Sequence, residues 1–327
     1  MNGAILLGWL ALAGPGGQAQ GREMTDEAGR RVQVPEAPSR IVSLAPNITE
    51  CLFALGLDRE VVGVTQYSSY PPEAASRPQV GSYVQINLER VLALQPDLVL
   101  AIRDGNPREQ VARLAQMGLA VFVMDPRSLD GLFRTLETLG AILGREPAAS
   151  TLIRGMKERL ERLGGLLAGR PRPRVLLQIG VNPLVTVGKG TLQDHLVQLA
   201  GGENIAGSEA VPYPILSVER VLEMRPEVIL VSSMGEKTDA TQELRRWARW
   251  KEIPAVATGR LHVVDGDLID RPSPRVLDGL EELAARIHPE VAGSLAGGEG
   301  TQGSESSSQN AGETPPRGSS CPGMASP

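Results

Sequence analysis

The feature that most constrains this chain is an internal repeat. The stretch Asn87 to Ala101, NLERVLALQPDLVLA, returns as Ser217 to Val231, SVERVLEMRPEVILV, in register and without a gap. Glu89 pairs with Glu219, Arg90 with Arg220, Pro96 with Pro226, Asp97 with Glu227 and Leu100 with Leu230, at an offset of 130 residues. Carried backwards, the same offset pairs Tyr83 with Tyr213. A supersecondary unit present twice, far apart in one chain, implies two similar lobes.

Each part of the unit has a local cause. Asn87 and Ser217 suit an N-cap, because a short side-chain oxygen can accept from an early helical amide. Glu89 and Glu219 then fall in the first turn, where the helix dipole favours negative charge. Pro96 and Pro226 stop the helix. The residues that follow, Leu98 to Ala101 and Val228 to Val231, are apolar at every position, as in a strand covered on both faces of a parallel sheet.

With 327 residues the chain is long enough for two cores of ordinary size. A net charge of −5 and a pI near 5.5 give no electrostatic footprint for nucleic acid. The run Ala4 to Ala13, AILLGWLALA, followed by small residues at Gly17 to Ala19, has the pattern of a secretory signal over 1–19. Of the two cysteines, Cys321 lies in a Gly/Ser/Pro-rich tail, 291–327, that is expected to be disordered. Cys51 reads as a small apolar residue on the core face of a helix. No cysteine stands directly after the apolar run to take a lipid, so the expectation is a protein free outside the cytoplasm, without a lipid anchor.

Strands and helices alternate through the rest. An N-terminal lobe over 22–145 opens with a hairpin turning at Glu27 to Gly29. Strands at Arg40–Ala45, Val61–Val64 and Ala120–Met124 alternate with helices at Pro46–Gly56, Pro107–Met117 and Leu129–Leu143, the last capped by Ser128. Between the copies, 146–169 carries Leu152, Met156, Leu160, Leu163 and Leu167 at helical spacing, predicting one rigid helix of roughly 30 Å. A second lobe over 172–290 is predicted with strands at Arg174–Ile179 and Arg260–Val264. Its helices are predicted at Leu192–Leu199, Thr241–Trp250 and Arg275–Ile287, with a polar loop at Asp265–Pro274. The fold class is therefore α/β, with two similar lobes whose central sheets are flanked by helices, joined by one long helix.

Aromatic residues make up only 3% of the chain, so their positions carry information. Tyr67, Tyr83 and Tyr213 stand in loops rather than in apolar periodic runs, the last two at equivalent places. Rings facing a cleft would suit a large, flat, partly polar ligand; packed inward they would only plug the loops onto the core. Tyr70, beside Pro71, fits the second role better. Asp267 and Arg271 follow a strand end, where ligands collect in open α/β sheets, or they pair and simply hold the loop. His195, His262 and His288 are scattered over separate elements and read as surface or strand filler, with no nucleophile arrangement or zinc spacing. Gly188-Lys189-Gly190-Thr191 lacks the order of a phosphate-binding loop. No catalytic residue, protein metal site or cofactor is assigned.

The segments RIVSLAPNITE, VGVTQYSSYPPEA, GSYVQINLERVLALQPDLVLA, GGENI, VPYPILSVERVL and RPSPR resemble the cobalamin-binding, helical-backbone substrate-binding proteins of ABC importers. These are class III, chelatase-like relatives of the haem and iron-siderophore binding proteins. The likeness runs from about Met24 to His288. It implies a vitamin B12 or related corrinoid ligand held between the lobes with little hinge bending, the ligand carrying its own cobalt. By position, Tyr67, Tyr83, Tyr213 and the Asp267 to Arg271 loop would contact the corrin. Glu89 and Glu219 would dock on arginines of a permease dimer served by its ATPase. Periplasmic residence and a monomer when free are also implied. Tyr83 and Tyr213 stand where relatives often carry Trp, and Ile102 where an aromatic can occur. A haem or ferric-siderophore binding protein is the alternative within the superfamily. Haem would favour an axial His or Tyr and anionic ferric chelates several cleft arginines, of which Arg271 is the clear one.

Overall fold

The computed structural model describes residues 21–233 and 238–296. The signal expected at 1–19 and the tail beyond 296 lie outside these residues. Strands β1 (Gly21–Thr25) and β2 (Arg31–Pro35) form an antiparallel hairpin. The N-terminal sheet uses β3 (Ile41–Ser43), β4 (Val61–Gly63), β5 (Leu98–Ile102) and β6 (Val121–Met124), and helices α1 (Pro46–Ala54), α2 (Leu88–Ala93), α3 (Arg108–Gln116) and α4 (Leu129–Leu143) accompany it. Helix α5 (Glu146–Leu167) follows. The C-terminal lobe has strands β7 (Arg174–Gly180), β8 (Val185–Thr186), β9 (Glu203–Asn204), β10 (Val228–Ser233) and β11 (Leu261–Asp265). Its helices are α6 (Leu192–Leu199), α7 (Val218–Met224), α8 (Thr238–Trp247), α9 (Pro254–Ala257), α10 (Gly266–Ile269), α11 (Val276–Ile287) and α12 (Ala292–Ala296).

The repeat is one of topology as well as sequence. In the first sheet the order is β4-β3-β5-β6, all parallel, with Leu98 of β5 opposite Ile41 of β3. In the second, β9-β7-β10-β11 are likewise parallel, and Val228, the partner of Leu98 in the repeat, lies opposite Val175 of β7. The short strand β8 adds antiparallel to β7. The acid after each proline explains part of the unit. Asp97 accepts from the Ser39 amide at 2.8 Å, the Ser39 hydroxyl at 3.0 Å and the Arg40 amide at 3.0 Å, and Glu227 accepts from the Arg174 amide at 2.9 Å. Each acid thus clips the start of the neighbouring strand. The turn before each proline matches too: Gln95 and Arg225 are left-handed, at φ 46° and 48°.

Alternation along the strands sends residues to two faces. Leu98, Leu100, Val228 and Leu230 join one continuous core with Val175 and Leu177 of β7 and with Ala149, Ile153, Met156 and Leu163 of α5. Val99 and Ala101 face a second cluster confined to the N-terminal lobe, and Ile229 and Val231 a third in the other lobe. Helix α5 is therefore welded into a core that both sheets share. Its buried stripe runs through Ala149, Ile153, Met156 and Leu163, and Leu152, Leu160 and Leu167 flank it half-covered. Gly140 of α4 lets α5 approach closely: a Cβ there would sit 2.8 Å from that of Ala149. On the other side Arg159 of α5 binds Glu281 and Asp278 of α11, with contacts of 2.7 to 3.0 Å.

Several predicted elements shift. Helix α8 lies three residues earlier than the spacing predicts, because Trp247 is the anchor: it is 2% exposed and donates from Nε1 to Gln178 at 2.7 Å. The segment Asp265–Pro274 is not wholly loop. Asp265 caps α10 by accepting from the Asp267 amide at 2.9 Å, and Ile269 seats in the core. Order continues past Ile287, since Val291 is buried and α12 follows, so 291–296 is not disordered tail. His288 is neither on the surface nor in a strand; it is 3% exposed and contacts the Gly201 carbonyl. Cys51 is buried in the core, which pushes its thiol pKa up. Among the described residues, no helix is long and apolar enough to cross a membrane.

Candidate ligand cleft between the lobes

Loops at the C-terminal ends of the parallel strands meet at the seam, the place where open α/β sheets bind ligands. Tyr67, in the loop after β4, is half-exposed. Its neighbours Thr65 and Ser68 join Thr49 and Ser43 in a buried hydroxyl chain, with contacts of 2.8 to 3.1 Å, that ties this loop to the start of α1. Tyr83 is held by its own carbonyl, which accepts from Asn106 Nδ2 at 2.7 Å; the same amide group donates to the Leu44 carbonyl. Its ring lies over Gly105, where φ is 126° and a Cβ would come within 3.1 Å of both Tyr83 and Ile102. Only glycine serves there, for backbone and space together.

Tyr213 is fixed in the same manner from the other lobe. The Thr186 amide donates to Pro214 O at 3.0 Å and the Gly188 amide to Pro212 O at 2.8 Å, so backbone bonds bracket the tyrosine while its ring stays half-exposed. Burial raises its phenol pKa, and the nearby carboxylates of Asp104 and Asp270 push the same way, against Arg127. Asp104 and Arg127 belong to the N-terminal lobe, so charges of both lobes act on the Tyr213 phenol. Arg127 is itself held charged by Asp125, 2.7 Å away.

Asp267 and Arg271 pair with each other at 2.8 Å, so the loop-holding role is real. Arg271 also crosses the seam to Glu50 of α1 at 3.3 Å. Asp270 is sequestered, accepting from Gln193 and from Ser232, each at 2.8 Å; burial raises its pKa. Tyr70 carries the Arg275 guanidinium 3.8 Å from its ring centre, a cation–π contact between the lobes. Sequence reasoning included Asp270 within the Asp267 to Arg271 loop but passed over Glu50, Arg127 and Asp104. Only Glu50 left a signal: an acid in the otherwise apolar helical stretch ITECLFAL.

Glu89 and Glu219 are exposed at the first turns of α2 and α7, and Asn87 and Ser217 cap those helices by accepting from the Arg90 and Arg220 amides. The bond from its own amide, with one from Ser217, lowers the Glu219 pKa. α2 begins a few residues after Tyr83 and α7 a few residues after Tyr213, and each helix ends shortly before the following strand. Among the described residues, no group of three or more His, Cys, Asp or Glu could hold a metal ion.

The periplasmic binding protein family model matches residues 41–268, from β3 into α10, the helix that carries Asp267. This chain belongs to that family. Among its relatives is a vitamin B12-binding protein of Vibrio cholerae, 32% identical over 254 residues, covering 77% of this chain and 90% of the relative. Another, a vitamin B12-binding protein of Pectobacterium atrosepticum, is 34% identical over 258 residues, covering 76% and 88%. The solved periplasmic vitamin B12-binding protein of Vibrio cholerae superposes with a TM-score of 0.70 at 32% identity, covering 77% of this chain and 98% of that one. A periplasmic haem-binding protein from Roseiflexus gives a TM-score of 0.70 at 27% identity, with coverage of 77% and 98%. The two-lobe α/β architecture bridged by a long helix is thus that of family members with known structures.

Proposed function

We propose that this periplasmic binding protein captures cobalamin or a related corrinoid in the cleft between its lobes and delivers it to the permease of an ABC importer. The observation that carries the reading is the meeting of loops from both lobes at one seam, in a chain 32% identical to a vitamin B12-binding protein over 77% of its length. Tyr67, Tyr83 and Tyr213 supply half-exposed or partly exposed ring faces on rigid loops, suited to the edges and apolar flanks of a corrin. Asp267 and Arg271 supply polar contacts to its amide side chains. Because α5 joins the two sheets into one core, the lobes meet the ligand with little closing motion.

Glu89 and Glu219 are the docking acids, one per lobe, for arginines of a permease dimer. Their exposure and their places in equivalent first turns support that role. Export through the segment 1–19 and free periplasmic residence complete the picture. The haem alternative draws on the Roseiflexus likeness and on tyrosines that could ligate iron. The test is direct. Purified protein mixed with cyanocobalamin should carry the red ligand unchanged through gel filtration. Calorimetry against cobalamin, cobinamide, haemin and a ferric siderophore should rank the corrinoids first. Tight haemin binding with no cobalamin uptake would establish the alternative instead.

A further inference from the structure

Glu50 is a carboxylate enclosed at the seam. Its side chain is 2% exposed, on an α1 whose neighbouring residues Ile48, Cys51 and Leu52 are core. An isolated carboxylate there would be costly. All three of its side-chain partners come from the other lobe: Ser273 Oγ donates to Oε2 at 2.6 Å, and Arg271 and Arg275 approach Oε1 at 3.3 and 3.5 Å. Arg275 is held a second time by stacking on Tyr70, also of the N-terminal lobe. Behind this cluster, Glu50, Tyr70 and Arg275 line an open groove of about 830 Å³ beside α5, and Arg271 and Asp267 are not among its lining residues.

The geometry at Arg271 gives the cluster a purpose. One end of its guanidinium, Nη2, meets Asp267 of α10 in its own lobe at 2.8 Å, and the other, Nη1, meets Glu50 across the seam. The planar fork is thereby aimed by one acid from each lobe. We propose that Glu50 is a positioning residue for the ligand site, holding Arg271 in its binding orientation from across the seam. The inference rests on the reading of the cleft as the corrinoid site. Burial raises the Glu50 pKa, with Ser273, Arg275 and Arg271 opposing.

The test is a double-mutant cycle read by calorimetry with cyanocobalamin. Glu50→Gln keeps the size of the side chain and an acceptor for Ser273 but removes the charge that orients Arg271. It should weaken binding about 10-fold in the wild-type background and less than about twofold when Arg271→Gln is already present, the signature of two residues acting as a unit. A residue that merely docks the lobes would cost the same in both backgrounds, and that result overturns the proposal. So does wild-type affinity in Glu50→Gln or in Arg271→Gln. Should Glu50→Gln fail to fold, Ser273→Ala frees one oxygen of the same carboxylate, and its loss of affinity should likewise vanish when Arg271→Gln is present. A wild-type protein that takes haemin and not cobalamin sinks the corrinoid reading alone; the same cycle with haemin then decides for or against Glu50.

Discussion

Tyr213 offers the sharpest test of the cleft, because its ring is placed by backbone bonds on both sides and its removal should leave the fold intact. The residue is 50% exposed. A tyrosine can bury roughly 150–250 Å², so about 100 Å² is free for a ligand to cover. At about 25 cal/mol per Å² full coverage is worth about 2.5 kcal/mol. A flat ligand meets one face, which halves the figure, and ring contact adds about 0.5–1.5 kcal/mol. Tyr213→Ala should therefore cost about 2 kcal/mol, roughly a 30-fold rise in Kd. Tyr213→Phe keeps the face and should stay within about threefold of wild type on the same scale. Calorimetry with cyanocobalamin measures both, and thermal unfolding of the free proteins serves as a control. Because Tyr213 lies outside the three hydrophobic clusters, the alanine variant should unfold within about 1 kcal/mol of wild type. A stable Tyr213→Ala protein with unchanged Kd would refute the reasoning, since no ligand could then lie against that ring.

The remaining predictions concern docking, the strand clips and pH. Glu89→Arg combined with Glu219→Arg should leave cobalamin affinity unchanged and abolish import, because close interfacial charge pairs couple by about 1.5 to 7 kcal/mol; uptake at the wild-type rate by cells carrying the double variant would remove these acids from the interface. Asp97→Ala loses three hydrogen bonds to the start of β3 and should destabilise by about 2 kcal/mol, whereas Glu227→Ala, which loses one amide bond and an exposed ion pair, should cost about 1 kcal/mol. Equal shifts in urea midpoint would contradict that difference. His262 has a pKa lowered from 6.5 by burial, then by Arg286 and Arg260. The unfolded chain therefore binds its proton first, and stability should fall as pH drops from 6.5 through the lowered value. His262→Gln should flatten that part of the stability profile, as unfolding measured from pH 7 to 5 will reveal.

Much of the architecture was legible in the chain because it depends on short-range patterns. The repeat, its caps and its prolines are local, and Ser128 with Leu129–Leu143 could be read to the residue, since a cap and an apolar stripe are written within one helix. Where packing from afar decides, the reading slipped. Trp247 sets the register of α8 through Gln178, a residue of β7 far away in sequence. His288 is buried because Gly201 leaves room for its ring: a Cβ there would lie 2.6 Å from Nε2. The stripe of α5 turned so that Ile153 faces the core, since its partners are α4 and both sheets together.

The amino-acid order alone determined that there would be two like lobes, a stiff helix between them, and tyrosines in matching loops. These follow from propensity, periodicity and capping within some twenty neighbouring residues. Only the tertiary structure decided which charges meet across the seam. Glu50 and Ser273 lie 223 residues apart in sequence and 2.6 Å apart in space. No spacing rule connects them. Their pairing exists because a shared hydrophobic core brings the two sheets to a fixed distance, and at that distance a buried carboxylate must find its partners in the facing lobe.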